Sequence, residues 1–134
     1  MVQIDITYTG EKHCSLTHGP SGTVIQTDAP KDNQGKGESF SPTDLVAAAL
    51  GSCILTTVAV LAEKEGWTLG NARATVEKNM SPPPRRIESL SVVIQIEGPL
   101  SPQQQTKVKE WALTCPVHRS LHPEVRLPIS IQFV

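Results

Sequence analysis

The chain has 134 residues, enough for a sizeable core, and we expect a single domain over residues 1–134. Its formal net charge is -1, with both signs spread along the chain, which excludes the electrostatic footprint of a protein that binds nucleic acid or an anionic membrane. Three cysteines, an odd number, argue against a structural disulfide framework, and the start of the chain has no signal-peptide pattern. We therefore expect a cytoplasmic protein.

The first forty residues predict three short strands and a loop. Apolar and polar residues alternate over residues 2–8, which is typical of a half-buried strand. Two further short strands are predicted over 13–17 and 23–27, with a turn of glycine, proline and serine at 19–22 between them. Residues 28–39 are polar and rich in glycine, which indicates a loop.

A long central helix follows, from about residue 42 to residue 65. It begins with Ser41 as the N-cap, Pro42 in the first turn and an acid at Asp44, and Gly66 is its expected stop. The stretch 45–62 is apolar on nearly all sides, so a sheet or a partner chain must cover it. Because the stretch also contains glycine, serine and threonine, we predict a buried helix of a soluble protein and no membrane span.

The second half of the chain predicts two long strands, a second helix, a short helix and a closing strand. The strands are expected near 72–77 and 90–96, and the second helix, which begins with a capping box, from about 102 to 113. A short helix should begin after Cys115, and the last strand should cover 127–133. The fold class is therefore α+β, with about six strands and two principal helices.

Cys53 and Cys115 occupy different local environments. Pro116 makes Cys115 the N-cap of a helix, where backbone N–H groups and the helix dipole favour a thiolate, and His118 lies at the same helix end. The alternative is that Cys115 caps this helix without being reactive. Cys53 lies in the middle of the long apolar helix, where burial disfavours the thiolate, so on local pattern alone inert packing is the simpler interpretation. Cys14, in a predicted strand, is interpreted as a packing residue.

A metal site is a competing hypothesis for the second cysteine. Cys115 and His118 have the spacing of metal ligands, and Cys53 or Cys14 could complete a set. One such pair is a weak signal, because structural zinc takes four ligands that usually come from two paired motifs. We therefore predict no metal and no cofactor.

Two segments together resemble a known family. The run from Phe40 to Cys53 resembles the first-cysteine helix of the OsmC/Ohr superfamily (osmotically inducible protein C and organic hydroperoxide resistance proteins), and residues 115–117, Cys-Pro-Val, resemble its second-cysteine motif. The order of elements also matches over nearly the whole chain. The resemblance implies an OsmC-like fold and an intertwined homodimer, with the long helices at its centre and two equivalent active sites at the subunit interface.

The resemblance also implies a chemistry. Cys53 would be the peroxidatic cysteine and Cys115 the resolving one, in a peroxidase that reduces organic hydroperoxides to alcohols. A dithiol reductant, of lipoyl type in the best-known members, would restore the thiols by exchange. Such an enzyme is an antioxidant that serves the response to oxidative stress. The alternative is an OsmC-like binding protein for a small hydrophobic ligand, without efficient peroxidase activity.

Two departures place the chain nearer a divergent OsmC-like branch. Family peroxidases have a Glu directly after the proline of the helix start, where this chain has Thr43, with Asp44 next and Glu38 in the preceding loop. The family's activating Arg comes from the early hairpin, yet no Arg precedes Arg73, and Lys12 is the nearest basic candidate.

Two other groups of residues are candidates for supporting roles. Arg85 and Arg86, in the proline-rich loop, are alternative cations for activating Cys53. The loop before Phe40 is expected to close over the pocket and to favour bulky organic peroxides.

Overall fold

The computed structural model describes all residues, 1–134, and divides into two compact units, residues 1–46 and 47–134. The first unit contains strands β1 (Ile4–Gly10), β2 (His13–His18) and β3 (Val24–Asp28), which form an antiparallel sheet in the order β1-β2-β3. A short 3-10 turn at Lys31–Asn33 follows. β1 and β2 are joined by a two-residue turn in which both residues have positive φ, the geometry that suits the twist of a hairpin. Three strands and a loop were predicted here, and this part of the prediction is confirmed.

The two faces of this first sheet differ in polarity. Ile6, Leu16 and Ile25 are register neighbours on one face, whereas Thr7, Ser15 and Gln26 are neighbours on the other. The apolar face was expected to be half-buried, but Ile6 is 61% exposed and its neighbours Ile4 and Tyr8 are 52% and 66% exposed. The alternation predicted the strand correctly, but the residues that would cover its apolar face do not come from this unit.

The second unit contains most of the central helix and the second sheet. Helix α1 (Pro42–Lys64) continues into this unit from the first, and is followed by β4 (Ala72–Met80) and β5 (Ile87–Ile96). The remaining elements are α2 (Pro102–Ala112), α3 (Pro116–Ser120) and β6 (Ile129–Phe133). β4 pairs with β5 in antiparallel fashion and β6 joins the other edge of β5 in parallel. The α+β class, the six strands and the two principal helices are confirmed.

The core of the second unit lies between α1, the middle strand β5 and α2. Its fully buried side chains are aliphatic: Leu50, Ile54, Val58, Leu90, Val92, Ile94, Ile96 and Val108. At Gly51 the helix approaches β4 so closely that an added Cβ would lie 3.0 Å from Val76 Cγ2. A glycine in mid-helix is therefore explained by packing.

Helix α1 has the length and hydropathy of a membrane span, a test that the core helices of soluble proteins also pass. Its buried side, which includes Leu50 and Gly51, packs on its own unit, and we interpret it as a core helix. Its other side remains uncovered, since Ala48 and Ala49 are exposed and Val60 is 51% exposed.

Candidate active site

Cys53 opens onto a groove between α1 and the segment that carries Cys115. The thiol is half-buried, and the groove has a volume of about 510 Å³. Its lining is mainly apolar and hydroxyl-bearing, with one charged residue: Cys53, Thr56, Thr57, Val60, Leu61, Thr114, Pro116 and Arg119. A small organic molecule can therefore reach the Cys53 sulfur from solvent.

The hydroxyl nearest to Cys53 comes from the next helical turn. Thr57 Oγ1 lies 3.9 Å from Cys53 Sγ, within the longer range of sulfur hydrogen bonds. The two residues are four apart on α1, so their side chains share one face of the helix. The adjacent hydroxyl-bearing residue, Ser52, is exposed. Helical geometry thus places Cys53 beside the hydroxyl one turn along α1 and not beside that of its neighbour in the sequence.

Cys115 is the N-cap of α3, as its position before Pro116 predicted. Its Sγ accepts a hydrogen bond from the backbone N–H of His118 at 3.2 Å, and the residue is fully buried. Burial raises the pKa of the Cys115 thiol, the hydrogen bond from His118 opposes this rise, and the neighbouring Cys53 thiol adds to it. The helix end thus favours the Cys115 thiolate as expected, but desolvation outweighs the cap, so the net shift of the Cys115 pKa is upward.

Cys53 and Cys115 are neighbours inside the second unit. The Cys53 thiol is close enough to Cys115 to raise the pKa of the Cys115 thiol, although the residues lie far apart in the sequence. All three cysteines are free, and Cys14 lies in β2 opposite Tyr8 and Thr27. The fold thus pairs one accessible thiol with one buried, protonated thiol.

Four of the supporting residues lie in the first unit. Asp44 accepts a hydrogen bond from the backbone N–H of Ser41 at 2.9 Å and so takes part in the N-terminal cap of α1. Lys12 lies in the β1–β2 turn, Phe40 is 55% exposed, and Glu38 follows the loop after β3. Their supporting roles toward the thiols stay predictions, as does closure of the loop before Phe40.

The charged residue of the groove, Arg119, was missed. It lies one helical turn after Cys115, and its backbone N–H donates to the Cys115 carbonyl at 3.1 Å. Because residues four apart in a helix share one face, the position of Arg119 four residues after the helix-capping Cys115 could have indicated it as a candidate site residue. Arg86, one of the alternative cations for activating Cys53, instead forms an ion pair in which its Nη2 lies 3.6 Å from Glu124 Oε2.

The structure does not support the hypothesis of a metal site at Cys115 and His118. His118 contributes its backbone N–H to the sulfur, and the cluster of possible metal ligands formed by the fold lies in the first unit, at His13, Asp28 and Glu38. No sequence pattern indicated that cluster.

Comparison with known proteins identifies the family. The OsmC-like protein family matches residues 35–130. A solved structure from Psychrobacter arcticus 273-4, provisionally assigned as an osmotic stress induced and detoxification response protein, is 39% identical, with a TM-score of 0.92, over 98% of this chain and 96% of that one. No match to a curated protein was found.

More distant solved structures share the fold. An OsmC-like protein from Mycoplasma pneumoniae is 17% identical, with a TM-score of 0.83, over 100% of this chain and 97% of that one. An organic hydroperoxide resistance protein OsmC from Legionella pneumophila is 16% identical, with a TM-score of 0.79, over 98% of this chain and 96% of that one. The family match and the Psychrobacter relative together show that this chain belongs to the OsmC-like protein family.

Proposed function

We propose that the protein is a thiol-dependent peroxidase that reduces organic hydroperoxides to alcohols in the cytoplasm, as a defence against oxidative stress. The observation that carries the proposal is the proximity of the Cys53 thiol, at the groove, to the buried Cys115 thiol, whose pKa it raises. Further support comes from fold relatives that are organic hydroperoxide resistance proteins, such as that of Legionella pneumophila.

The first step uses Cys53. Its thiolate sulfur attacks the terminal oxygen of the hydroperoxide, the O–O bond breaks, and the departing alkoxide takes a proton to become the alcohol. The sulfur is oxidised by two electrons to a sulfenic acid while the peroxide is reduced by two. The apolar groove walls at Val60 and Leu61 favour an organic substituent over the small, polar hydrogen peroxide.

The second step uses Cys115. Its sulfur attacks the Cys53 sulfur, an S–S bond forms, and the hydroxyl of the sulfenic acid leaves as water with the proton of the Cys115 thiol. The raised pKa of Cys115 keeps that proton in place until the attack. An external dithiol, of lipoyl type, then reduces the disulfide by two exchange steps and becomes a cyclic disulfide itself.

Arg119 is the proposed electrostatic partner of the first step. Charge moves from the Cys53 sulfur to the departing oxygen, and Arg119 lines the groove in which that charge develops. Arginine offers several planar N–H donors for an oxygen, which suits this role better than lysine. This assignment supplies the arginine that the early hairpin lacks.

The proposal is tested by following one turnover. We expect reduced protein mixed with one equivalent of cumene hydroperoxide to form the Cys53–Cys115 disulfide and one equivalent of cumyl alcohol, because the two steps are coupled within one chain. Peptide mapping under non-reducing conditions measures the disulfide and chromatography the alcohol. Unchanged peroxide with both thiols still free would contradict the proposal and favour the alternative of a binding protein for a small hydrophobic ligand.

We further propose that the protein is an intertwined homodimer whose interface covers the exposed apolar surfaces. The supporting observations are the exposed apolar face of the first sheet at Ile6 and the uncovered side of α1 at Val60. Exposed apolar side chains that lie together mark an interface. In the dimer, the two equivalent active sites would lie at the subunit interface.

Substitution on the two sheet faces tests the dimer. We expect sedimentation equilibrium to give twice the 14.5 kDa chain mass for the natural protein, and Ile6→Lys to shift the mass toward the monomer. Thr7→Lys is the matched control, because it adds the same charge to the neighbouring residue on the polar face. A monomeric natural protein, or equal masses for the two variants, would contradict the proposed interface.

A further inference from the structure

A second cluster of chemically active side chains lies in the first unit. His13 and Asp28 are directly opposite each other in the β2–β3 ladder, so their side chains leave the sheet on the same face. The carboxylate of Glu38, at the end of the loop after β3, joins them, and one ligand atom from each residue lies within 4.8 Å of the other two.

The carboxylate of Asp28 is incompletely satisfied. The side chain is fully buried, and its Oδ2 accepts the backbone N–H of Glu38 at 2.9 Å. Oδ1 is buried without a hydrogen-bond donor, and His13 Nε2 lies 3.6 Å from it, too far for a hydrogen bond. A buried carboxylate oxygen without a partner is rare and unfavourable, so a missing cationic ligand is a physical explanation for this one.

The loop after β3 places Glu38 beside His13 and Asp28. The hydrogen bond from its backbone N–H to Asp28 fixes the position of the residue, while its side chain, 58% exposed, remains adjustable. Glu38 Oε2 lies 4.0 Å from His13 Nε2. Lys36 competes for this carboxylate, since its Nζ lies 3.9 Å from Glu38 Oε1 and 3.8 Å from Glu11 Oε2.

We propose that His13, Asp28 and Glu38 bind a divalent transition-metal ion of the zinc class. One imidazole nitrogen and two carboxylate oxygens are a donor set that such ions accept, with water at the remaining position. Ligand atoms around tetrahedral zinc lie roughly 3.3–3.5 Å apart, as bond lengths of about 2.0–2.2 Å require. The separations of 3.6 Å between His13 and Asp28 and of 4.0 Å between His13 and Glu38 are close to this range, and the Asp28–Glu38 separation, within 4.8 Å, closes by inward movement of the exposed Glu38 side chain.

The bound ion would tie the loop after β3 to the sheet. It would give Asp28 Oδ1 its partner and would hold the Glu38 side chain against β2. The site uses none of the cysteines and does not depend on the proposed peroxidase activity.

Zinc titration of the full-length protein, followed by nitrogen NMR of the imidazoles, tests the site. We expect Zn²⁺ to shift the Nε2 resonance of His13 in a saturable manner and to leave that of His18, an exposed histidine bonded to Ser21, unchanged. Zinc held by thiolates would not move the His13 resonance, so the readout separates this site from the cysteine pair.

Variants sharpen the assignment. Glu38→Gln should weaken the zinc affinity seen at His13 by roughly tenfold or more, because one anionic ligand is lost. Lys36→Gln should strengthen it by roughly two- to fivefold, because a competing surface ion pair is removed. His18→Asn is the matched control and should leave the affinity unchanged.

Some results would overturn the site. A His13 resonance that does not respond to millimolar Zn²⁺ would mean that the cluster is only an ion pair of His13 with the two carboxylates. Equal affinities for the natural protein and Glu38→Gln would remove Glu38 from the ligand set and reject the three-ligand site.

Discussion

Replacing Cys53 by serine is expected to abolish the reduction of cumene hydroperoxide, with a loss of at least about a thousandfold in the second-order rate constant. A serine hydroxyl is not ionised at neutral pH and cannot pass through a sulfenic acid, so no later step can compensate. The loss is measured by stopped-flow mixing of reduced protein with peroxide, with the alcohol product quantified. The substitution is nearly isosteric at a half-buried position, so the fold should be retained.

The two other cysteines provide the controls for this result. Cys115→Ser should keep the first step and release one equivalent of alcohol, but it should accumulate a Cys53 sulfenic acid that dimedone captures. Cys14→Ser should behave as the natural protein, because Cys14 lies in β2 and has no part in the proposed steps. A Cys53→Ser variant that turns over peroxide at the natural rate would remove the assignment of Cys53 as the nucleophile.

Replacing Arg119 by glutamine is expected to lower the rate constant for peroxide reduction by roughly ten- to a hundredfold. A preorganised donor to a developing oxyanion contributes about this much or more, and exposure to solvent places Arg119 at the lower end of the range. The change should appear in the reaction with peroxide and not in the reduction of the disulfide by dithiol. Separate rapid-mixing experiments on the reduced and oxidised proteins measure the two half-reactions.

Two further variants distinguish the role of Arg119 from a general effect of charge. Arg119→Lys should recover only part of the rate, because lysine keeps the charge and loses the planar set of donors. Arg126→Gln removes an exposed arginine near Glu88 and should have no effect. Equal rates for Arg119→Gln and the natural protein would leave Cys53 without this electrostatic partner and would reject that part of the mechanism.

Local chemistry explains why the elements of this fold were predictable. The predicted central helix, about 42–65, agrees with Pro42–Lys64 because its start depends on nearby residues: Ser41 Oγ accepts the backbone N–H of Asp44 at 3.0 Å. The second helix begins with the predicted capping box, in which Ser101 and Gln104 bond reciprocally. The last strand was predicted from residue 127 but begins at Ile129, since alternation alone does not determine where pairing starts.

The order of amino acids was enough to predict which residue types could do chemistry and which helices carry Cys53 and Cys115. Through the two cysteine motifs, it also indicated the family. The upward shift of the Cys115 pKa could not be predicted in this way, because burial depends on what packs around the sulfur and here outweighs the helix cap. Packing also determines which residues become neighbours in space. Arg119 reaches the groove, and His13 meets Asp28 and Glu38, because strand register and helix packing bring together residues whose spacing along the chain carries no such signal.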